Sequence, residues 1–184
     1  MTDSNAHAGH GAMPIFTVIE HTAFAADVNT LAAAIRADTG WQPTFLIGIG
    51  RGGLVPAVYL SHATGLPTLS CDLSAHVKDF ADDVLVRLAA RTRDGERLLL
   101  VDDINDSGST IGHLRAALAA AGGVAPAIRF ATLIDNRVSA QRVDYCARVI
   151  DRTVTKDWFV FPWEALAPAE AIAADAAAVP ARIG

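Results

Sequence analysis

A segment near the middle of the chain combines residue types that bind phosphorylated sugars. Two adjacent acids, Asp102 and Asp103, follow a short apolar run. Two residues later comes a small, hydroxyl-rich stretch made of Asp106, Ser107, Gly108, Ser109 and Thr110. Small and hydroxylic residues at the start of a helix offer N–H and side-chain donors, which suit a phosphate monoester. Adjacent carboxylates suit the hydroxyl groups of a sugar and a nearby Mg²⁺. The segment therefore predicts a site for a ribose that carries a phosphate on one side and a metal-bound diphosphate on the other.

A glycine-rich segment at residues 48–53 fits more than one ligand. It follows the pattern GxGxxG, and Asp72 stands on the next predicted strand, which together are typical of a dinucleotide-binding turn. The same glycines also serve any loop whose backbone amides approach a phosphate closely, and Arg51 supplies a cation for diphosphate oxygens. A tight turn without a ligand is the third alternative. Only the diphosphate alternative also accounts for the acids and hydroxyls described above.

Composition restricts the classes of function. The chain has 184 residues, which suggests about one domain, and 52% of them are hydrophobic. No run approaches the roughly 18 consecutive apolar residues that a membrane span needs. The net charge is −5 without any basic run, so nucleic acid is not a predicted partner. Cys71 and Cys146 form no CxxC pair, and the first residues lack the pattern of a secretory signal. We therefore expect a cytoplasmic protein that binds neither membranes nor nucleic acid.

Alternating strand and helix patterns position these residues. The predicted strands cover residues 15–19, 45–49, 68–73, 97–101, 127–134 and 145–150. The predicted helices cover residues 24–35, 54–63 and 111–121, with a glycine-rich turn at 50–53 and a candidate antiparallel pair at 84–88. Strands that alternate with helices favour an α/β fold with a central parallel sheet flanked by helices. Asp102 and Asp103 then lie at the carboxyl end of a strand, where open α/β sheets bind ligands.

Three blocks of the sequence resemble the type I phosphoribosyltransferase family. Residues 101–110 match its signature of an apolar strand, two acids, two variable residues and Asp-Thr/Ser-Gly-x-Thr. Residues 50–56 are similar to its pyrophosphate loop, and residues 157–164 are similar to the hood of its xanthine–guanine and hypoxanthine branch. The three blocks occur in the family's order, so the resemblance covers residues 14–164.

The resemblance implies a domain organisation. We expect a disordered tail at 1–13 and a single phosphoribosyltransferase domain at 14–164, with a small hood formed by the C-terminal segment near 151–164. Residues 165–184 form an Ala-rich peripheral helix or tail. Residues 74–83 match the family's mobile lid, with an ordinary connecting loop as the alternative. The oligomeric state stays open, a homodimer or a higher homo-oligomer included.

The resemblance also implies a reaction. The phosphoribosyl group of 5-phosphoribosyl-1-pyrophosphate (PRPP), bound with Mg²⁺, passes to a purine base, and pyrophosphate leaves. Asp106 takes the role of the proton acceptor. The resemblance implies PRPP binding by Arg51, Gly52, Gly53, Asp102, Asp103, Asp106, Ser107, Gly108, Ser109 and Thr110. It implies a metal environment of Asp102, Asp103 and Glu164. A cis peptide before Arg51 is part of the same expectation.

The base site departs from the family at one position. Purine members usually place a lysine at the end of the fourth strand, where it donates to the 6-oxo group, but this chain has Asn136 there, followed by Arg137. Either residue is a candidate replacement. Trp158 is the candidate for stacking on the base, with Phe159 beside it, whereas Trp163 and His113 are interpreted as structural. We favour a 6-oxopurine (hypoxanthine, guanine or xanthine) in purine salvage. Another base, or a non-catalytic PRPP or nucleotide sensor, is the alternative.

Overall fold

The computed structural model describes residues 15–72 and 78–177, without the side chains of residues 78–82. The tail predicted at residues 1–13 and the first part of the predicted lid, at 74–77, lie outside the described residues.

Seven strands and five helices make up the described chain. The strands are β1 Phe16–Val18, β2 Phe45–Ile49, β3 Thr68–Cys71, β4 Leu98–Asn105, β5 Ile128–Asn136, β6 Tyr145–Ile150 and β7 Trp158–Val160. The helices are α1 His21–Ala37, α2 Gly50–Thr64, α3 Lys78–Arg93, α4 Ser109–Ala120 and α5 Ala169–Ala177. Two single 3₁₀ turns, Ala125–Ala127 and Pro162–Glu164, complete the set.

The central sheet is parallel throughout and confirms the predicted fold class. Its strand order is β3-β2-β4-β5-β6. This is the second common order of doubly wound sheets, and it differs from the order typical of dinucleotide-binding domains. The connections from β2 and from β4 run to opposite neighbours, so the order reverses between these two strands. Ligands of such sheets bind at this point, outside the carboxyl ends of the strands.

Buried apolar residues cover both faces of the sheet, as the continuous apolar runs of β2 and β4 predict. Along β4, Leu99 and Val101 pack with the core side chains of α1 and α2, whereas Leu98 and Leu100 pack with those of α3 and α4. All four β4 side chains are fully buried. Because β4 is fixed from both sides, the acidic residues at its carboxyl end have a rigid support.

A two-stranded parallel sheet forms the small hood. β1 pairs with β7 in the register Phe16 with Trp158 and Val18 with Val160. The Thr17 hydroxyl donates to the Asp157 carboxylate over 2.5 Å. The prediction placed the hood in the C-terminal segment, and the structure adds a strand from the beginning of the domain. α5 lies beyond the hood and is largely exposed.

Four local predictions were wrong. Residues 84–88 belong to α3 instead of an antiparallel pair, because Leu85, Leu88 and Ala89 recur at helical spacing and are buried together. This helix also replaces a loop over the second half of the predicted lid. The glycine-rich turn at residues 50–53 is the first turn of α2. β4 continues to Asn105, so Asp102 and Asp103 lie within the strand instead of after it.

Within the described residues, no helix combines the length and the apolarity that a membrane span requires.

Candidate functional site

A cleft of about 780 Å³ opens at the carboxyl ends of β2 and β4. The first turns of α2 and α4 both face it. Several predicted ligand-binding residues line it together, namely Arg51, Gly52, Asp102, Asp103, Ser109 and Thr110. The unpaired N–H groups at the start of each helix make two anion-binding ends converge on one cleft. This arrangement suits a ligand with phosphate groups at two separate positions.

The two adjacent acids lie between these helix ends. Burial raises the pKa of Asp102 well above its usual value, and the charge of Asp103 raises it further. The Asp103 N–H donates to Asp102 Oδ1 over 3.1 Å, which offsets part of this effect. The protein environment therefore disfavours the ionised form of Asp102. A divalent cation or the hydroxyl groups of a sugar bound beside this carboxylate would favour its charge.

Glycines allow α2 to approach β4 at the cleft. A Cβ atom at Gly52 would collide with the Asp103 carboxylate, and one at Gly53 would collide with the Val101 carbonyl group. Gly50 has a φ of 53°, in the left-handed region that glycine tolerates. The peptide bond before Arg51 is trans, so the expected cis peptide is wrong. The glycine pattern thus serves a close contact between helix and strand, and it leaves the first amides of α2 facing the cleft.

The loop between β4 and α4 encloses a small cavity of about 80 Å³, lined by residues 104–111. Asp106, Ser107, Gly108, Ser109 and Thr110 all belong to it, as the phosphate-site prediction requires. Gly108 caps α4 with a φ of 88°, and a Cβ atom there would lie 2.7 Å from the Gln141 nitrogen. A side chain at this position would therefore both strain the backbone and displace the neighbouring loop. The cavity has the size and the backbone donors of a phosphate cup.

A buried arginine that the sequence analysis missed contacts the predicted proton acceptor. Arg152, in the segment between β6 and β7, donates from Nε to Asp106 Oδ1 over 2.9 Å. Its Nη1 donates to the carbonyl groups of Thr155 and Asp157, over 3.1 and 2.7 Å. Its guanidinium carbon lies 5.2 Å from the ring centre of Phe159. The only available signal was a single arginine shortly before β7, where it belongs to no sequence motif.

The two candidate replacements for the lysine have other contacts. Asn136 is buried, and its Nδ2 donates to the Asp106 carbonyl over 2.9 Å. Its Oδ1 accepts from the backbone N–H groups of Val138 and Arg152. The Arg137 side chain is 66% exposed, with its Nε 3.1 Å from Asp151 Oδ2. These contacts give Asn136 a role in holding the phosphate loop and Arg137 a role at the surface, while base binding by either stays a prediction.

The aromatic residues of the hood strand alternate in direction. Phe159 packs against the core cluster of α1 and α2 and against Arg152. Trp158, its neighbour in β7, therefore points to the opposite face and is half-buried. Trp163 stacks on Phe161 at a ring distance of 4.7 Å and meets the edge of Phe24, as its structural interpretation predicts. Trp158 stays the predicted stacking partner of the base.

The comparisons with known proteins agree with this geometry. Residues 17–168 match the family model described as the phosphoribosyl transferase domain. The chain belongs to this family. A xanthine-guanine phosphoribosyltransferase from Idiomarina loihiensis is 30% identical over 123 residues, which are 65% of this chain and 70% of the relative.

Solved structures show the same fold for the phosphoribosyltransferase chain. A purine phosphoribosyltransferase from Pyrococcus horikoshii superposes with a TM-score of 0.59 at 24% identity, covering 80% of this chain and 93% of its own. A protein from Neisseria gonorrhoeae, whose crystal structure contains ppGpp, superposes with a TM-score of 0.64 at 20% identity, covering 91% and 98%. At these identities the likeness establishes the fold of the domain.

Two further residues of this phosphoribosyltransferase chain, His113 and Glu164, line the clefts. His113 was interpreted as structural, yet it lines the cleft, one helical turn after Ser109. Its spacing of four residues from Ser109 was the signal for it. Glu164 Oε2 accepts from the Phe161 N–H over 2.8 Å, and Glu164 lines an adjoining cleft of about 690 Å³ together with Arg51 and Asp103. Its role as a metal ligand stays a prediction.

Proposed function

We propose that this protein transfers the phosphoribosyl group of PRPP to a purine base and releases pyrophosphate. One observation carries the proposal: the acid pair on β4 and the N-terminus of α2 line the main cleft, and the phosphate cup lies next to it and shares Ser109 and Thr110 with it, at the reversal point of the sheet. PRPP presents a 5-phosphate, a ribose and a diphosphate in that order. The cup, the acids and the α2 terminus with Arg51 offer matching partners in the same order.

The residues fit Mg²⁺ bound together with PRPP. The described residues contain no cluster of three or more His, Cys, Asp or Glu side chains that would hold a metal alone. Mg²⁺ is commonly bound by one or two carboxylates together with substrate phosphates, and keeps several water molecules. Asp102 and Asp103 supply such carboxylates, and the raised pKa of Asp102 shows that burial and the Asp103 charge disfavour its ionised form. When bound, the ion would neutralise charge on the diphosphate as this group leaves.

Other groups of the protein bind the parts of PRPP and accept the proton of the base. The N–H groups of the phosphate cup hold the 5-phosphate, and Asp102 with Asp103 accept hydrogen bonds from the ribose hydroxyls. Arg51 and the amides of α2 hold the departing pyrophosphate. A nitrogen of the base forms a bond to the anomeric carbon while the bond from that carbon to pyrophosphate breaks. Asp106 accepts the proton that the base loses, which contributes about 10²–10⁴-fold in rate.

We favour a 6-oxopurine as the base. The hood segment, with Trp158 before a Pro-Trp-Glu sequence, resembles the xanthine–guanine and hypoxanthine branch, and the Idiomarina relative carries a xanthine-guanine name. A stacked base gains about 1–3 kcal/mol from an aromatic side chain whatever its substituents are. Selectivity among purine bases then depends on protein groups at the edge of the base, since a wrong base leaves a buried polar group unpaired.

The free thiols of Cys71 and Cys146 fit a cytoplasmic enzyme.

A nucleotide sensor is the second candidate function. The Neisseria protein that binds ppGpp covers more of this chain than the purine phosphoribosyltransferase from Pyrococcus does. A guanine nucleotide with two diphosphates could use the same phosphate cup and helix ends. Asp106, the proposed proton acceptor, favours the enzyme, because a sensor has no need of a proton acceptor.

A panel of bases incubated with PRPP and Mg²⁺ tests the proposal. We expect pyrophosphate release with hypoxanthine, guanine or xanthine, and a kcat/KM for adenine at least about tenfold lower. A preference for adenine would contradict the 6-oxopurine assignment alone. Absence of turnover with every base, together with saturable ppGpp binding, would replace the enzyme by the sensor.

A further inference from the structure

Arg152 connects three parts of the molecule that the reaction must align. Its Nε reaches Asp106 in the phosphate loop, and its Nη1 reaches the carbonyl groups of Thr155 and Asp157 at the entry to the hood. Its own N–H donates to Asn136 at the end of β5. Asn136 in turn donates to the Asp106 carbonyl group. Asp106 is therefore held twice, through its main chain by Asn136 and through its carboxylate by Arg152.

The buried contact between Arg152 and Asp106 is unfavourable if stability is its only role. The Arg152 side chain is 9% exposed and the Asp106 side chain 18%. Arg152 Nη2 is buried and makes no hydrogen bond with the described residues, so the guanidinium is not fully compensated for the water it loses. Buried ion pairs often stabilise a fold no better than apolar side chains of similar volume. The ion pair is therefore weak evidence for a stabilising role of Arg152, and its contacts are the better guide to what it does.

The contact geometry indicates what the task is. A carboxylate on a loop rotates freely unless a donor fixes its plane, and proton transfer requires heavy-atom distances of roughly 2.6–3.2 Å. We propose that Arg152 is a positioning residue that holds the Asp106 carboxylate where it accepts the proton of the base. The inference rests on the proposed phosphoribosyl transfer.

A double-mutant cycle tests this role. Arg152→Met removes the donors, and Asp106→Asn removes the proton acceptor with little change in shape. We expect Arg152→Met to lower kcat by about 10²-fold, the scale of a misplaced catalytic group, while the dissociation constant of PRPP changes by less than about threefold. In the Asp106→Asn background the same substitution should lower kcat by less than about threefold, because residues that act as a unit are not additive.

Two further variants complete the design. Arg152→Lys keeps a cation within reach of Asp106, so it should retain more of the wild-type kcat than Arg152→Met, and it continues the cycle if the methionine variant does not fold. Arg36→Met is the matched control, because Arg36 is exposed and donates to the Ala63 carbonyl group at the end of α2, away from the cleft. It should leave kcat unchanged.

The outcomes separate the two proposals. Wild-type protein without turnover on any base refutes the proposed function. Wild-type turnover combined with equal kcat losses from the Arg152 substitution in both backgrounds refutes the positioning role. A parallel loss of PRPP affinity would likewise assign Arg152 to the general integrity of the fold.

Discussion

Replacing Asp102 by asparagine should stabilise the ligand-free protein while abolishing its proposed function. Burial and the neighbouring Asp103 raise the pKa of Asp102, so the ionised side chain destabilises the folded state at neutral pH. Asparagine has the same shape and keeps an oxygen that can accept from the Asp103 N–H. The substitution thus removes the charge and retains the hydrogen bond.

The expected gain follows from this balance. Single stabilising substitutions commonly contribute about 0.5–2 kcal/mol, and we expect the gain to lie in this range. For a chain of this length, that corresponds to an increase in Tm of about 1–8 °C. Because the folded-state pKa is raised, wild-type Asp102 becomes protonated as the pH falls, and the difference between the two proteins should shrink at acidic pH.

Calorimetric melting in EDTA between pH 4 and pH 8 measures this difference. Asp38→Asn is the matched control with the opposite sign. Hydrogen bonds from Arg129 and Tyr145 lower the pKa of Asp38 to about 2, so its charge stabilises the fold above the unfolded pKa, and this stabilisation is lost as the pH falls towards 2. The charge of Asp102 does not destabilise the fold if the Asp102→Asn variant has a lower Tm than the wild type at pH 7, or if the difference in Tm does not change with pH.

Three other predictions concern single residues. Asp106→Asn should preserve PRPP affinity and lower kcat by about 10²-fold or more, as steady-state kinetics with calorimetric binding would measure; an unchanged kcat would remove Asp106 from the proton-accepting role. Burial and the charge of Asp72 raise the pKa of the Cys71 thiol to about 11. Iodoacetamide at pH 8 should therefore modify Cys71 only after the protein is unfolded in urea. Rapid labelling of Cys71 in the native protein, detected by mass spectrometry, would contradict this. Arg137→Ala tests the predicted base contact of Arg137. Because the side chain is exposed and paired with Asp151, we expect kcat/KM for hypoxanthine and adenine to stay within about twofold of wild type, whereas a selective loss with hypoxanthine would support the base contact.

The sequence predicted those parts of the molecule in which local pattern and fold agree. The apolar runs of β2 and β4 require a sheet covered on both faces, and the residues after β4 combine hydroxyls with a glycine that must adopt a positive φ at Gly108. These features are set within a few neighbouring residues. The strands of the central sheet and the position of the loop before α4 could therefore be predicted from the sequence directly, while phosphate binding by this loop stays a prediction.

The missed features depend on residues that are distant in sequence. The β1 strand joins the hood through pairing with β7, which no local pattern indicates. The ion pair between Arg152 and Asp106 joins residues 46 positions apart, and an isolated arginine has no periodicity. The helix over residues 84–88 shows a different difficulty, because a short apolar run fits both strand and helix until its buried face is known.

Calorimetric titration of PRPP with Mg²⁺ into the wild type and into a variant with both Asp102→Ala and Asp103→Ala is the decisive test of the proposed PRPP site. We expect saturable binding to the wild type, because the phosphate cup, the acid pair and the α2 terminus each hold one part of PRPP. In the double variant we expect a loss of affinity of at least about 10²-fold, since the ribose hydroxyls and the metal lose their acceptors together. NAD should show no saturable binding to either protein. Equal PRPP affinity of the two proteins in the presence of Mg²⁺, or micromolar binding of NAD without binding of PRPP, would contradict these assignments.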